Sequence, residues 1–222
     1  PQLLAFEKMQ NTFNKNDNIM FVITPRDGRV FTVETLKAIK DITEEAWQIP
    51  FSTRVDSITN HQHTSAVEDD LIVDALVPDP TILTRKDLAR IQFIAINEPV
   101  MVSRLISPDS KYTGINVTVQ LPGERLDEVP TAVAFARDMR DRYMGKYPEL
   151  AIRLVGLTMK NNACPEASQG DAQNLDPLAL VFIIVTLLLM LKGVSGTLTT
   201  FLMMIFSIVT AMGLAGWLGI RL

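Results

Sequence analysis

The sequence predicts an α+β protein in which a domain built from two βαβ units precedes a two-helix transmembrane hairpin. Two strand–helix–strand patterns, one early in the chain and one ending at Val155, predict the domain. Two long apolar segments near the C terminus predict the hairpin. Composition changes between the parts, because residues from Pro177 onward carry only two charges, Lys192 and Arg221.

The first βαβ unit begins with the continuous apolar run Ile19–Ile23, which predicts a strand and is closed by a Pro-Arg-Asp-Gly turn. Thr32 then caps a predicted helix that ends before Pro50. Its apolar residues recur at three- or four-residue spacing: Val33, Leu36, Ile39, Ile42 and Ala46. Arg54–Thr59 predicts the returning strand.

The second unit begins with a strand in which Ile115, Val117, Val119 and Leu121 alternate with polar residues. A helix follows that starts near Asp127, and its apolar stripe contains Val129, Val133, Ala136, Met139 and Tyr143. Ala151–Val155 predicts the last strand. Two βαβ units that share one sheet give the ferredoxin-like βαβ-βαβ arrangement, with both helices on one face.

A partly helical insertion, about 61–110, separates the two units. Within it, Leu71–Val77 predicts a short strand. Thr84 and Asp87 predict a capping box that opens a helix, and Pro99 ends that helix. The residues expected to face inward are Leu88, Ile91 and Ile94 or Ala95.

Chemical motifs are scarce, which argues against an enzyme. The sequence contains no GxGxxG, GxxxxGK or GxSxG pattern, so we predict no catalytic residue and no cofactor. The nearest approach to a metal site is His61 and His63, followed by Glu68, Asp69 and Asp70. A solvated polar loop explains the same residues, and we favour that interpretation over metal binding.

The first apolar segment, Leu178–Leu191, is short for a bilayer. About 14 residues at about 1.5 Å each span about 21 Å of a hydrocarbon core about 30 Å thick. The helix must therefore extend upstream, and we favour a continuous helix that rises from the preceding domain through Pro177. The second segment, Thr197–Ile220, contains no charge and is long enough to cross. The predicted membrane helices are about 174–191 and 197–220.

Small residues recur every fourth position along the second membrane helix and predict a helix-packing face: Ser207, Ala211, Ala215 and Gly219. This face serves packing either within one bundle or between the subunits of a homo-oligomer. No ionisable residue lies within either span, so any proton-coupling residues are expected elsewhere in the protein.

The net charge of the chain and its first residue give further predictions. The chain has a formal net charge of −4, and since Lys192 and Arg221 follow Pro177, the preceding part carries −6. Such acidity argues against nucleic acid as a partner.

We predict a domain over residues 1–176, opened by a short amphipathic helix at Leu3–Phe13, and a hairpin over residues 177–222. The chain begins at Pro1 without a signal sequence, so we expect a fragment preceded by another membrane helix.

Several segments together resemble exporters of the resistance-nodulation-division superfamily, more narrowly the hydrophobe exporters related to the mycobacterial large membrane proteins (MMPL). In the first unit these segments are Val30-Phe31-Thr32, LKAIKDITEEAWQIP and Val55–Asn60. The resemblance continues through Asn97-Glu98-Pro99, Arg104–Ser107 before Gly114, Leu154-Val155-Gly156 and the hairpin with Gly213. It covers nearly the whole chain.

The resemblance implies a proton-driven exporter in a bacterial inner membrane, with residues before about 176 forming a periplasmic porter domain. It implies that the hairpin begins a region akin to a sterol-sensing domain, and that further helices and a second porter domain are partners. A hydrophobic or amphiphilic substrate would contact a cleft between the ferredoxin-like unit and the insertion, or between this domain and its counterpart. The alternative is a membrane-anchored ligand sensor or an envelope-assembly accessory protein.

Overall fold

The structure is a computed structural model that describes residues 17–67, 70–191 and 194–219. The predicted helix at Leu3–Phe13 lies outside these residues. The chain divides into two compact units, Pro1–Cys164 and Pro165–Leu222.

The first unit is a mixed α/β domain. Its elements, in chain order, are β1 (Asp17–Pro25), α1 (Val33–Ala46), β2 (Ser52–Asp56), β3 (Gln62–Val67), β4 (Asp70–Ala75), a 3₁₀ helix (Pro80–Ile82), α2 (Arg85–Asn97), β5 (Thr113–Val119), α3 (Glu128–Lys146) and β6 (Leu150–Val155). Helix α4 (Leu157–Leu191) begins in this unit.

Four strands form an antiparallel sheet in the order β2-β5-β1-β6. Strand β1 is central: it pairs with β5 from Asp17 opposite Val119 to Ile23 opposite Thr113, and with β6 on its other side. Strands β1 and β2, which belong to the same βαβ unit, are separated by β5. This order is the ferredoxin-like topology, so the predicted fold class is confirmed.

One face of the sheet packs against α1 and α3. Alternate residues of β1 are fully buried there, namely Ile19, Phe21 and Ile23. The matching residues of β5 and of the helices complete the core: Ile115, Val117, Val119, Leu36, Ile39, Ile42, Ala136 and Met139. Their spacing of two on strands and three or four on helices is the pattern that predicted these elements.

Polar contacts join α1 to α3 at the edge of this core. The Asp41 carboxylate accepts hydrogen bonds from Lys146 Nζ at 2.7 Å and from the Tyr147 hydroxyl at 2.8 Å. One turn further along α1, the Glu45 carboxylate forms an ion pair with Arg142. The hydrogen bond that Arg142 donates within this ion pair lowers the pKa of Glu45.

The insertion differs from its prediction in one element. The expected strand at Leu71–Val77 is present as β4, but it pairs with β3, which the sequence did not predict. The capping box is confirmed: Thr84 Oγ1 accepts from Asp87 N at 3.4 Å and the Asp87 carboxylate accepts from Thr84 N at 2.8 Å. Ile91 and Ala95 are buried, while Leu88 and Ile94 are half-buried.

The strand expected at Arg54–Thr59 ends earlier, at Asp56. The Asn60 side chain explains the difference, because its oxygen accepts from Ser57 N at 2.8 Å and its nitrogen donates to Val55 O at 2.7 Å. These bonds satisfy the backbone in a turn rather than in a ladder.

Helix α4 begins at a tight junction with the sheet. Gly156 has φ +123°, and a Cβ atom there would overlap the carbonyl oxygen of Asn18. Leu157 N donates to Asn18 Oδ1 at 3.1 Å, and Asn18 Nδ2 donates to Asn116 Oδ1 at 2.8 Å. One side chain on β1 therefore holds both the neighbouring strand and the first residue of the helix.

The second unit contains the remainder of α4 and helix α5 (Val194–Trp217), the two long apolar helices of a hairpin. Helix α4 continues without interruption from Leu157 to Leu191, with Pro165 and Pro177 inside it, in agreement with the predicted upstream extension. Both helices are long and apolar enough to span a membrane, and none of either apolar window is buried among the described residues. Thr186, Thr199 and Thr210 donate to the carbonyl four residues earlier, which satisfies each hydroxyl without water.

We expect Gly156→Ala to lower the free energy of unfolding of the first unit by about 3 kcal/mol or more, because it combines an unfavourable φ with backbone overlap. Urea titration of Trp47 fluorescence, in a Trp217→Phe background, measures this. The matched control is Gly123→Ala, since Gly123 has φ +74° but no atom within 4 Å of an added Cβ. Gly123→Ala should lower the free energy of unfolding by only about 1–2 kcal/mol. Equal losses at the two positions would disprove the overlap.

We expect Glu45→Gln to destabilise the first unit near neutral pH, because the pKa of Glu45 is lowered in the folded state. That contribution is present above the unfolded-state pKa of about 4.3 and is lost as pH falls through the folded-state value. The difference in urea midpoint between wild type and variant should therefore shrink below about pH 4. Glu44→Gln, at an exposed neighbouring position, is the control and should leave the urea midpoint near neutral pH unchanged.

Candidate functional site

The second face of the sheet carries no helix of the ferredoxin-like unit and forms the floor of a groove. Because Ile19, Phe21 and Ile23 face the helices, the intervening residues of β1 face the other way. Met20 and Val22 are half-buried on this open face. A loop from the end of the insertion, residues 100–112, which we call the covering loop, lies over them.

Hydrogen bonds from β5 hold the covering loop in place. Gly114 N and Thr113 Oγ1 both donate to Leu105 O, at 2.8 and 2.9 Å. Within the loop, Ser103 N donates to Ile106 O at 2.9 Å, and Ser103 adopts a left-handed backbone with φ +64°. Ile106 is buried. The loop is thus anchored to β5 through Leu105, and the bond from Ser103 to Ile106 closes its turn.

Two adjoining clefts lie between the covering loop and the open sheet face. The first has a volume of about 240 Å³, and its lining is largely apolar: Met20, Val22, Leu105, Ile106, Pro108 and Tyr112. The second has a volume of about 520 Å³ and is more polar: Asn18, Arg54, Asp56, His61, Arg104 and Asn116. Because Met20, Ser103, Arg104 and Leu105 line both clefts, we treat the two as one sheet-face groove.

The polar end of the sheet-face groove carries uneven charge. Arg54 Nε lies 2.8 Å from Asp56 Oδ1, so these two charges compensate each other. Arg104 is exposed and, among the residues that the structure describes, has no carboxylate within 4 Å. The groove therefore combines one uncompensated positive charge, at Arg104, with an apolar surface.

Two further clefts are less suited to an apolar ligand. A cleft of about 740 Å³ lies between the start of α1 and helix α2, where Phe31 and Leu88 are accompanied by Arg29, Glu34 and Arg85. A cleft of about 360 Å³ lies within the insertion, where Ile91 and Ile94 are accompanied by His63, Asp74, Asp87 and Arg90. Both linings contain ionic groups of both signs beside their apolar residues, whereas the smaller cleft of the sheet-face groove has a largely apolar lining.

His61 and His63, the pair considered for metal binding, line different clefts. His61 contributes to the sheet-face groove, and His63 to the cleft within the insertion. Among residues 17–67, 70–191 and 194–219, no three His, Cys, Asp or Glu side chains form a group that could hold a metal ion. Glu68 and Asp69 lie outside the described residues.

The predicted helix-packing residues lie at the end of the second unit. Ser207, Ala211 and Ala215 are on α5, and Gly219 is in the turn that follows, with φ +71°. Their role in helix packing stays a prediction.

The sequence predicts substrate contacts in a cleft between the ferredoxin-like unit and the insertion, or between this domain and its counterpart, but does not identify the lining residues. The available signal was the uninterrupted apolar run of β1: Met20 and Val22 are apolar although they face away from the helical core. A strand that is apolar on both faces has something to cover each face.

The structure thus combines a ferredoxin-like domain with two helices long and apolar enough to span a membrane, which defines a candidate membrane protein. The chain matches the MMPL family over residues 3–222 and belongs to that family. The resemblance drawn from the sequence is confirmed. Members of this family are transporters, and membership indicates a membrane exporter of hydrophobic substrates. No curated protein matches the chain.

We expect Gly114→Ala to narrow the sheet-face groove, because an added Cβ would overlap Met20 Cε and displace that flexible side chain. The variant should bind the apolar fluorophore N-phenylnaphthylamine more weakly than wild type in fluorescence titrations. Gly145→Ala, where an added Cβ meets no atom within 4 Å, is the control and should bind as wild type does. Unchanged binding by Gly114→Ala would show that the fluorophore does not occupy the groove.

Proposed function

We propose that this protein is part of a proton-driven exporter of hydrophobic or amphiphilic molecules, and that the sheet-face groove captures them. The observation that carries the proposal is the apolar end of the groove, lined by Met20, Val22 and Tyr112, in a chain of the MMPL family. Tyr112 is about half exposed, with 47% of its surface accessible, so the apolar lining is reachable from solvent.

We further propose that residues 1–176 form a porter domain on the periplasmic side of a bacterial inner membrane and that residues 177–222 form the membrane hairpin. Lys192, in the short connection between the two spans, supports this side, since positive charge in short loops is retained preferentially on the cytoplasmic side. Ser207, Ala211, Ala215 and Gly219 would then pack against another helix of the bundle.

In the proposed cycle, an apolar molecule enters the groove and leaves water, which favours binding by about 25 cal/mol per Å² of apolar surface buried. The membrane helices then alternate between two states, and the groove releases its cargo outward in one of them. The energy of this step comes from proton movement through residues other than the two spans, because Leu178–Leu191 and Thr197–Ile220 contain no ionisable side chain.

Transport by inside-out vesicles from cells that express the native gene tests this function. We expect accumulation of labelled hydrophobic compounds that requires a proton gradient and is abolished by an uncoupler. Absence of gradient-dependent flux across a broad panel, with the protein correctly inserted, would contradict the exporter and favour a ligand sensor or an assembly protein.

Met20→Gln tests the groove itself. The substitution keeps the approximate length of the side chain but removes apolar contact, so we expect transport of an apolar compound to fall about fivefold, equivalent to about 1 kcal/mol. Met144→Gln is the matched control, since Met144 is an exposed residue of α3 outside the groove. Equal transport by the two variants would show that the groove does not contact the cargo.

A further inference from the structure

We infer that the sheet-face groove selects amphiphiles that carry an anionic head group, with the head group bound at Arg104 and the apolar chain lying over Met20. This inference names the substrate class of the proposed exporter and rests on that function. The ligand chemistry is an alkyl chain that ends in a carboxylate or a phosphate.

The first support is the separation of polarity along the groove. The apolar cleft, which ends at Pro108 and Tyr112, adjoins the polar cleft that contains Asn18, His61 and Asn116. Arg104 lines both clefts and therefore lies where the two surfaces meet. A ligand with one apolar and one polar part matches this arrangement better than a uniformly apolar ligand, which would leave the polar cleft without a partner.

The second support is the charge state of the groove's arginines. Arg54 is compensated by Asp56, whereas Arg104 has no carboxylate within 4 Å among the described residues. A guanidinium presents several N–H donors in a planar fork that matches carboxylate and phosphate oxygens. The two asparagines of the groove already bond to each other, so they leave Arg104 as the strongest polar group for a ligand.

The net charge of the domain does not oppose this assignment. The residues before Pro177 carry −6, but charges separated by more than about 8 Å are largely screened at physiological ionic strength. A head group in contact with Arg104 is therefore governed by that residue rather than by the whole surface. A cationic head group would meet the same guanidinium and be repelled.

Binding of three eight-carbon probes to the chain in neutral phosphatidylcholine nanodiscs tests the inference. Octyl phosphate and octanoate represent the two anionic sources, and octyltrimethylammonium is the cationic counterpart. Displacement of N-phenylnaphthylamine reports the binding of each probe. We expect both anionic probes, or the one whose oxygens fit Arg104, to bind at least about tenfold more tightly than the cationic probe.

Arg104→Gln should weaken binding of the preferred anionic probe by at least about tenfold and change binding of octyltrimethylammonium by less than about twofold. Arg85→Gln is the matched control, because Arg85 is an exposed arginine that lines a different cleft. It should leave anion binding unchanged. Arg104→Lys should recover part of the affinity, since it keeps the charge but loses the fork.

Three results would overturn the inference: equal affinity for anionic and cationic probes, unchanged anion binding by Arg104→Gln, or equal losses in Arg104→Gln and Arg85→Gln. An unchanged urea midpoint for Arg104→Gln shows that the variant folds. If the midpoint is lowered, the anion affinity of Arg104→Lys tests the inference instead. The exporter function is tested separately, by gradient-dependent flux in the inside-out vesicles. Anion binding that depends on Arg104 without gradient-dependent flux would support the head-group site and contradict export.

Discussion

The pairing of strand β1 with β5 on one side and β6 on the other is the constraint on which the first unit depends. Ile19, Phe21 and Ile23 contribute fully buried side chains to the core beneath α1 and α3. Met20 and Val22 line the groove on the opposite face. Because side chains alternate along a strand, a slip of one residue would exchange these two sets. The register of β1 therefore determines both the core and the groove.

Hydrogen bonds from Asn18 add to the apolar alternation of β1 in fixing its neighbours. Asn18 lies where β1 enters the sheet, and its side chain bonds both Asn116 on β5 and the first residue of α4. Gly156 permits this approach, since any side chain there would overlap the Asn18 backbone. A groove-lining residue is thus also the residue that fixes where the long helix starts.

The parts of the fold that the sequence predicts are those governed by period and by caps. The stripes of α1 and α3, the alternation of β5 and the Thr84–Asp87 capping box each require only local residues, and each is found in the structure. Strand β3 was missed because Gln62–Val67 is mostly polar or small and shows no apolar alternation. Its structure comes from pairing with β4, a contact that no local pattern encodes.

The groove could be placed only approximately for the same reason. Its covering loop has little regular secondary structure, and its position depends on the bonds from Thr113 and Gly114 to Leu105. The isolation of Arg104 is likewise a property of its neighbours in space. By contrast, the apolar residues on both faces of β1 are visible in the sequence and indicate that the open face is covered.

The register of β1 also has a consequence for the order of events during synthesis. Asp17 pairs with Val119, so the central strand has no β5 partner until about 100 further residues have been made. At the usual rate of about 5–20 residues per second, that interval lasts about 5–20 s, whereas β4 follows its partner β3 within about 3 s because Gln62 pairs with Ala75. Throughout this interval the run IMFVI remains an unpaired apolar strand, the kind of segment that aggregates or recruits chaperones. The same strand that organises the finished domain is therefore exposed to aggregation while the chain is being made.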